Sequence, residues 1–195
     1  MTKNRWDDHY ARKAKKEKRL ARSVYKLEEI NEKFKLIRRG YKLLDLGCYP
    51  GSWSQYLIDE AGPEGKVAGI DLKNPEGLSS PRFTFTQADV LTLDIEWLSK
   101  KIGPRNMVVS DLAPNTTGIR LTDTVRSLSL AKRAKEIAIA ILKKKGHFVC
   151  KFFEGEDSVP FKSEIAKHFQ QTRTIRPKAT RKRSREIYIV GMGLL

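Results

Sequence analysis

The sequence predicts an α/β fold, with a mostly parallel sheet carrying helices on both faces. Short apolar runs alternate with helix-compatible segments from Lys42 to Phe152. The first run, Leu43-Leu44-Asp45-Leu46, turns through Gly47-Cys48-Tyr49-Pro50-Gly51 into Ser52-Trp53. A strand that breaks through glycines into a helix N-terminus exposes backbone NH groups to a ligand. The chain has 195 residues, enough for one full core of this kind.

Residues 1–21 are mostly charged, with Met1, Trp6 and Tyr10 the only large apolar groups before Leu20. They read as a basic arm, mobile or loosely helical until a partner orders it, leaving 22–195 as the folded domain. Ser23 is placed to cap a helix from Val24 to Phe34, in which Val24, Leu27, Ile30 and Phe34 share an apolar face. Lys26 lies off that stripe, where a solvated lysine is the ordinary outcome.

Strands follow at Leu43–Leu46, Lys66–Asp71, Phe83–Thr86, Met107–Ser110 and His147–Phe152, with a helix over Trp53–Glu60. A long helix is expected from Thr122 to Lys145, with Leu128, Ala131, Ala134, Ile137, Ala138, Ile141 and Leu142 on one side and Gly146 as its stop. A further helix over Pro160–Phe169 precedes a short strand at Thr172–Ile175 and a last strand at Glu186–Val190.

The formal charge of +16 is concentrated at the two ends. Residues 1–42 carry 15 Lys/Arg against 6 Asp/Glu, residues 43–170 carry 17 against 16, and residues 171–195 carry 7 against 1. A balanced core with basic ends suits a polyanion such as RNA, because Lys and Arg contacts to phosphate supply most sequence-independent affinity. Cys48 and Cys150 lie far apart with no metal-ligand spacing, as expected of reduced residues in a cytoplasmic protein. No apolar run approaches the roughly 20 residues that span a bilayer. A soluble protein without a membrane partner is expected.

In a doubly wound sheet, ligands gather beyond the carboxyl ends of the strands. The turn Asp45-x-Gly47-x-x-Pro50-Gly51 differs from the Gly-x-Gly-x-x-Gly turn that seats a dinucleotide pyrophosphate. Pro50 removes an amide and Asp45 adds a negative charge, so a positively charged or zwitterionic ligand such as S-adenosylmethionine suits it better. A nicotinamide-dependent oxidoreductase is disfavoured on the same grounds. Asp71, Asp89, Asp111 and Lys151 all fall at or just beyond strand ends. Asp71 is placed to accept from ribose hydroxyls and Asp89 from an adenine amino group. Lys151 sits inside Phe148-Val149-Cys150-Lys151-Phe152-Phe153, where a charge is costly unless paired or functional.

Several dispersed motifs, in this order, make the chain resemble the FtsJ-type ribose 2′-O-methyltransferases. They are Ala21-Arg22-Ser23-Val24-Tyr25-Lys26-Leu27, Asp45-Leu46-Gly47 with Pro50-Gly51-Ser52-Trp53-Ser54-Gln55, Ser110-Asp111-Leu112-Ala113-Pro114-Asn115, Lys151 before Phe152, and Ser184-Arg185-Glu186. The resemblance runs from about Arg22 to Val190. It implies a Rossmann-like class I S-adenosylmethionine-dependent methyltransferase, with a seven-stranded sheet whose last strand is antiparallel.

It also implies a Lys-Asp-Lys-Glu catalytic set at Lys26, Asp111, Lys151 and Glu186, and cofactor contacts at Asp45, Gly47, Gly51, Trp53, Asp71, Asp89 and Asp111. Cys48-Tyr49 stand where two small residues are usual in the family, and Ser52 where glycine is usual. Lys151 is the expected base, with Lys26 favouring its neutral form by like-charge repulsion and the two carboxylates orienting both amines. The implied reaction methylates a ribose 2′-hydroxyl of RNA, namely a uridine of large-subunit, 23S-type ribosomal RNA. The enzyme is expected to act as a monomer and to require no metal. Transfer RNA or messenger RNA as substrate, and a non-catalytic RNA-binding protein of the same fold, are the alternatives.

Overall fold

The computed structural model describes residues 5–195, with side chains from residue 9 onward. Residues 1–4 and the Trp6 side chain, both within the basic arm expected over 1–21, lie outside the described residues. The elements in chain order are α1 (Arg5–Lys16), α2 (Val24–Phe34), β1 (Lys42–Leu46), α3 (Ser52–Ala61), β2 (Lys66–Asp71), β3 (Phe83–Gln87) and α4 (Ile95–Ile102). They continue with β4 (Arg105–Ser110), α5 (Arg120–Ile141), β5 (Leu142–Phe153), α6 (Ser158–Ala166), β6 (Phe169–Ile175) and β7 (Glu186–Leu194).

The seven strands form one sheet in the order β3-β2-β1-β4-β5-β7-β6. β7 alone is reversed, running antiparallel to both β5 and β6. Because successive strand residues point to opposite faces, each continuous apolar run feeds two layers. Leu44, Leu46, Ala68, Ile70, Val108, Phe148, Cys150 and Phe152 pack with α4, α5 and α6. Leu43, Val67, Met107, Val109, Val149, Tyr188 and Val190 pack on the other side with Leu27 and Ile30 of α2 and Trp53, Tyr56 and Leu57 of α3. Fully burying a Leu or Ile is worth about 1.5–3 kcal/mol, so α2, which buries Val24, Leu27 and Ile30 completely, is firmly docked.

The basic arm is partly built into this second layer. Tyr10 of α1 lies 5.5 Å from the Tyr25 ring, and the Lys13 ammonium 4.3 Å from the same ring. The Tyr25 hydroxyl donates to Glu17 at 2.8 Å.

Several elements of the fold differ from the sequence expectation. α4 was not anticipated, although Asp94 caps it by accepting from the amides of Glu96 and Trp97. The long helix ends at Ile141, not at Lys145, and Gly146 is not its stop. Leu142 already pairs with Arg105 of β4, and the register then jumps to Met107 opposite His147. The intervening lysines form an irregular strand entry, with Lys145 at φ 63°. Strand pairing there overrides the helical propensity of a Leu-Lys-Lys-Lys run. β6 and β7 also extend beyond their expected limits, to Phe169 and Leu194.

The strand order reverses between β1 and β4, which opens a crevice at their carboxyl ends. Gly47 leaves β1 there and donates its amide to Ile70 O at 2.9 Å, while the Asp111 amide leaves β4 and donates to Leu46 O at 3.2 Å. Among the described residues, no helix is long and apolar enough to cross a membrane.

Candidate active site

Four side chains far apart in sequence meet at the carboxyl end of the sheet. Lys26 projects from the first turn of α2, and its ammonium lies 2.5 Å from Glu186 Oε1 at the start of β7. Lys151 on β5 lies 3.0 Å from Asp111 Oδ1, just beyond β4, and donates to the Asp111 carbonyl at 2.6 Å. The antiparallel register places Tyr188 directly opposite Lys151 and Glu186 opposite Phe153. The Tyr188 hydroxyl lies 2.7 Å from Asp111 Oδ1 and 3.1 Å from Glu186 Oε1. It therefore joins the two amine-carboxylate pairs into one network.

A hydroxyl has one proton, so Tyr188 serves one carboxylate at a time. Burial, and then the Asp111 and Glu186 charges, push this hydroxyl well above the ordinary tyrosine range, which keeps it a donor. At Asp111, burial would raise the carboxyl. Lys151, then Lys26, and the hydrogen bonds from Tyr188 and Lys151 outweigh it and hold the group below the usual carboxylate range. Tyr188 was missed in the sequence because it reads as one more apolar strand residue. Its two-residue offset from Glu186 was the available signal, since that spacing puts both on one face.

Two clefts meet at this network. The first, of about 330 Å³, is bordered by Gly47, Tyr49, Asp71, Asp89, Asp111, Leu112 and Asn115. The second, of about 480 Å³, is bordered by Arg22, Ser23, Lys26, Arg181, Arg183 and Glu186. Asp111 thus faces one cleft while Lys26 and Glu186 face the other. The loop carrying Asn115 is tied down further on, where Asp123 accepts from the Thr117 amide at 2.7 Å and the Gly118 amide at 3.2 Å.

The first cleft fits S-adenosylmethionine in size and charge. Its volume lies at the small end of the roughly 300–1,000 Å³ typical of small-molecule sites. Three carboxylates face it, which suits ribose hydroxyls, an amino group and a positive sulfonium. Asp71 accepts the Tyr49 amide at 3.0 Å and the Lys73 amide at 3.0 Å, which fixes its carboxylate at the end of β2. Asp89 accepts the Leu91 amide at 2.9 Å. At Gly47, φ is +80°, and a Cβ would sit 3.0 Å from Leu112 Cδ2 and 3.1 Å from Leu112 N. Only glycine lets the chain turn there against the opposite wall.

The other expected cofactor residues sit behind that wall. Asp45 is fully buried, accepts from Ser54 Oγ at 2.6 Å on one oxygen and leaves the other without a partner. Gly51 begins α3 at φ +107° and is enclosed by Leu20, Pro75 and Leu78. Trp53 is 3% exposed, and its indole NH donates to the Ser23 carbonyl at 2.9 Å, which holds the start of α2 and hence Lys26. These three shape the turn and α2 and do not line the cleft.

A family profile described as FtsJ-like methyltransferase matches residues 20–194. The chain belongs to the FtsJ-like methyltransferase family. It is 47% identical over 189 residues to a protein of Bdellovibrio bacteriovorus named ribosomal RNA large subunit methyltransferase E, covering 95% of this chain and 96% of that one. A protein of the same name from Desulfatibacillum aliphaticivorans is 44% identical, covering 97% and 91%. Among solved structures, a ribosomal RNA methyltransferase from Plasmodium falciparum superposes with a TM-score of 0.79 at 26% identity, covering 90% of this chain and 98% of that one. A fibrillarin/Nop5p complex, with a TM-score of 0.63 at 18% identity, shares the fold alone. As an FtsJ-like enzyme of the Rossmann-like class, the protein uses S-adenosylmethionine as its methyl donor.

Proposed function

We propose that the protein transfers a methyl group to the ribose 2′-hydroxyl of a uridine in large-subunit ribosomal RNA. One observation carries the reading. The Lys151–Asp111 and Lys26–Glu186 pairs, bridged by Tyr188, stand where an acid-lined cleft meets an arginine-lined one. Asp45, Gly47, Gly51, Trp53, Asp71, Asp89 and Asp111 form or support the cofactor side, and Arg22, Arg181 and Arg183 hold the RNA backbone on the other.

S-adenosylmethionine, when bound, supplies an electrophilic methyl group on a positively charged sulfur. The protein's task is to align a weak nucleophile and remove its proton. Lys151 takes the 2′-hydroxyl proton as the new oxygen–carbon bond forms, and Asp111, at 3.0 Å, stabilises the resulting ammonium. Lys26, held by Glu186, binds the ribose oxygen from the RNA side. The balance is one methyl to oxygen and one proton to the lysine, leaving a neutral thioether.

The substrate assignment draws on the names of the relatives from Bdellovibrio and Desulfatibacillum. All members of the network come from one chain, which supports action as a monomer, and the ribosomal substrate supports action in the cytoplasm. The test supplies purified protein with S-adenosylmethionine and large ribosomal subunits from cells lacking the gene, and maps the new methyl group by mass spectrometry of nuclease fragments. A single 2′-O-methyluridine is expected. Methylation of a base, or of transfer RNA in preference to subunits, would overturn the assignment. RNA binding without turnover would reduce the protein to a binding module.

A further inference from the structure

A second basic surface lies at the opposite end of the sheet, and the methyl-transfer chemistry does not use it. Lys42 and Lys66 are the first residues of β1 and β2, and they stand directly opposite each other in register. Lys42 neighbours β4 through its amide, which donates to Asn106 Oδ1 at 2.9 Å. The entry to β5 brings Lys143, Lys144 and Lys145 to the same edge, where Gly146 closes on the Asn106 carbonyl. Arg38 adds a sixth cation, close enough to His147 for its charge, after burial, to lower that imidazole. All six side chains are exposed.

Helix C-termini, where a cation in the last turn is worth about 0.3–1 kcal/mol, hold none of these six, since the last turn of α2 carries only Lys33 and that of α5 carries no basic residue. Lys42 and Lys66 open strands. Like charges directly opposite each other on neighbouring strands are destabilising. Among the described residues, none of the six lies within 4.0 Å of a carboxylate, although Glu60 and Glu64 flank the turn before β2. An intramolecular counterion is therefore missing where folding alone would favour one.

We propose that this edge is a second RNA-binding surface, contacting the phosphates of a segment other than the one methylated. The inference rests on RNA being the substrate. With strands of five or six residues rising about 3.3 Å each, the edge lies roughly 15–20 Å from the catalytic network. A flexible single strand in the active cleft would not cover both, whereas the folded RNA of a ribosomal subunit presents phosphates on several sides. The surface adds affinity for large structured RNA without touching the reacting ribose.

The test compares the intact protein with a Lys42→Glu/Lys66→Glu/Lys144→Glu variant and with a milder Lys42→Gln/Lys66→Gln/Lys144→Gln variant. Kd is measured across a salt series for isolated large ribosomal subunits and for a short RNA hairpin, with S-adenosylmethionine affinity and Tm as checks on folding. Loss of three phosphate contacts lowers the salt slope for subunits by about 3 and weakens binding at least tenfold near physiological salt. Hairpin and cofactor affinities stay within about twofold. An unchanged slope in both variants, or lost binding to anionic phospholipid vesicles with subunit affinity intact, would overturn the proposal. Should the unaltered protein methylate no ribosomal RNA while the subunit slope still falls, the functional assignment fails and the surface stands.

Discussion

Tyr188 and Lys151 are cross-strand partners, and the tyrosine hydroxyl lies within hydrogen-bonding distance of both carboxylates of the network, at 2.7 Å from Asp111 and 3.1 Å from Glu186. Tyr188→Phe keeps the ring, which packs 5.9 Å from Trp53, and removes only this link. A hydrogen bond to a charged group is worth about 1.5–3 kcal/mol, so kcat is expected to fall roughly 10- to 100-fold. KM for S-adenosylmethionine should change little. Steady-state kinetics decide it, and an unaltered kcat would make the bridge structural only.

Lys151→Met keeps an unbranched side chain one atom shorter and has no amine. Methyl transfer is expected to drop by about 10²–10⁴-fold, the usual worth of a general base, while RNA affinity is largely retained. Lys151→Arg should fail equally, because a guanidinium does not release its proton. Filter-binding and single-turnover transfer separate the two readouts. Turnover surviving in Lys151→Met would assign the base elsewhere.

Asp111→Asn removes the carboxylate that faces Lys151 at 3.0 Å and accepts from Tyr188 at 2.7 Å, and breaking a buried pair of this kind costs about 3–5 kcal/mol. In the native protein the Asp111 carboxyl lies below its ordinary value, so its contribution is present above the unfolded pKa near 3.8 and is lost as the pH falls through the folded one. The stability difference between native and variant proteins should therefore shrink on acidification below about pH 4. Urea unfolding at a series of pH values measures it. A gap that stays constant with pH would mean that Asp111 does not titrate with folding.

Asp45 behaves with the opposite sign. Burial, partly offset by the Ser54 hydroxyl, raises its carboxyl from 3.8 to about 7. The folded state then holds a proton that the unfolded state has lost, so this stabilising contribution is full below about pH 4 and fades as the pH rises through about 7. Asp45→Asn should flatten the stability profile across that window and raise Tm at roughly pH 8 relative to the native protein. Parallel profiles would show that Asp45 is ionised throughout.

Gly47→Ala forces a side chain into a left-handed conformation against the Leu112 backbone. Strain of about 1–3 kcal/mol should lower Tm by roughly 2–4 °C per kcal/mol in a chain of this size. Calorimetry should show S-adenosylmethionine binding weakened at least tenfold. Undiminished cofactor affinity would mean that the turn does not line the site.

The sequence alone determined the parallel strands, the glycine turn and α2, because apolar periodicity and turn chemistry are local properties that report which face of each element is buried. Through family resemblance it also determined which two amines and two acids to expect at the centre. The tertiary structure alone decided what cross-strand register controls. Tyr188 falls opposite Lys151, Leu142 leaves a helix to pair with Arg105, and Lys42 meets Lys66 at the far edge of the sheet. Pairing between strands tens of residues apart leaves no mark in either strand's own pattern, so a tyrosine that reads as ordinary core becomes the bridge between two carboxylates only after the sheet has closed.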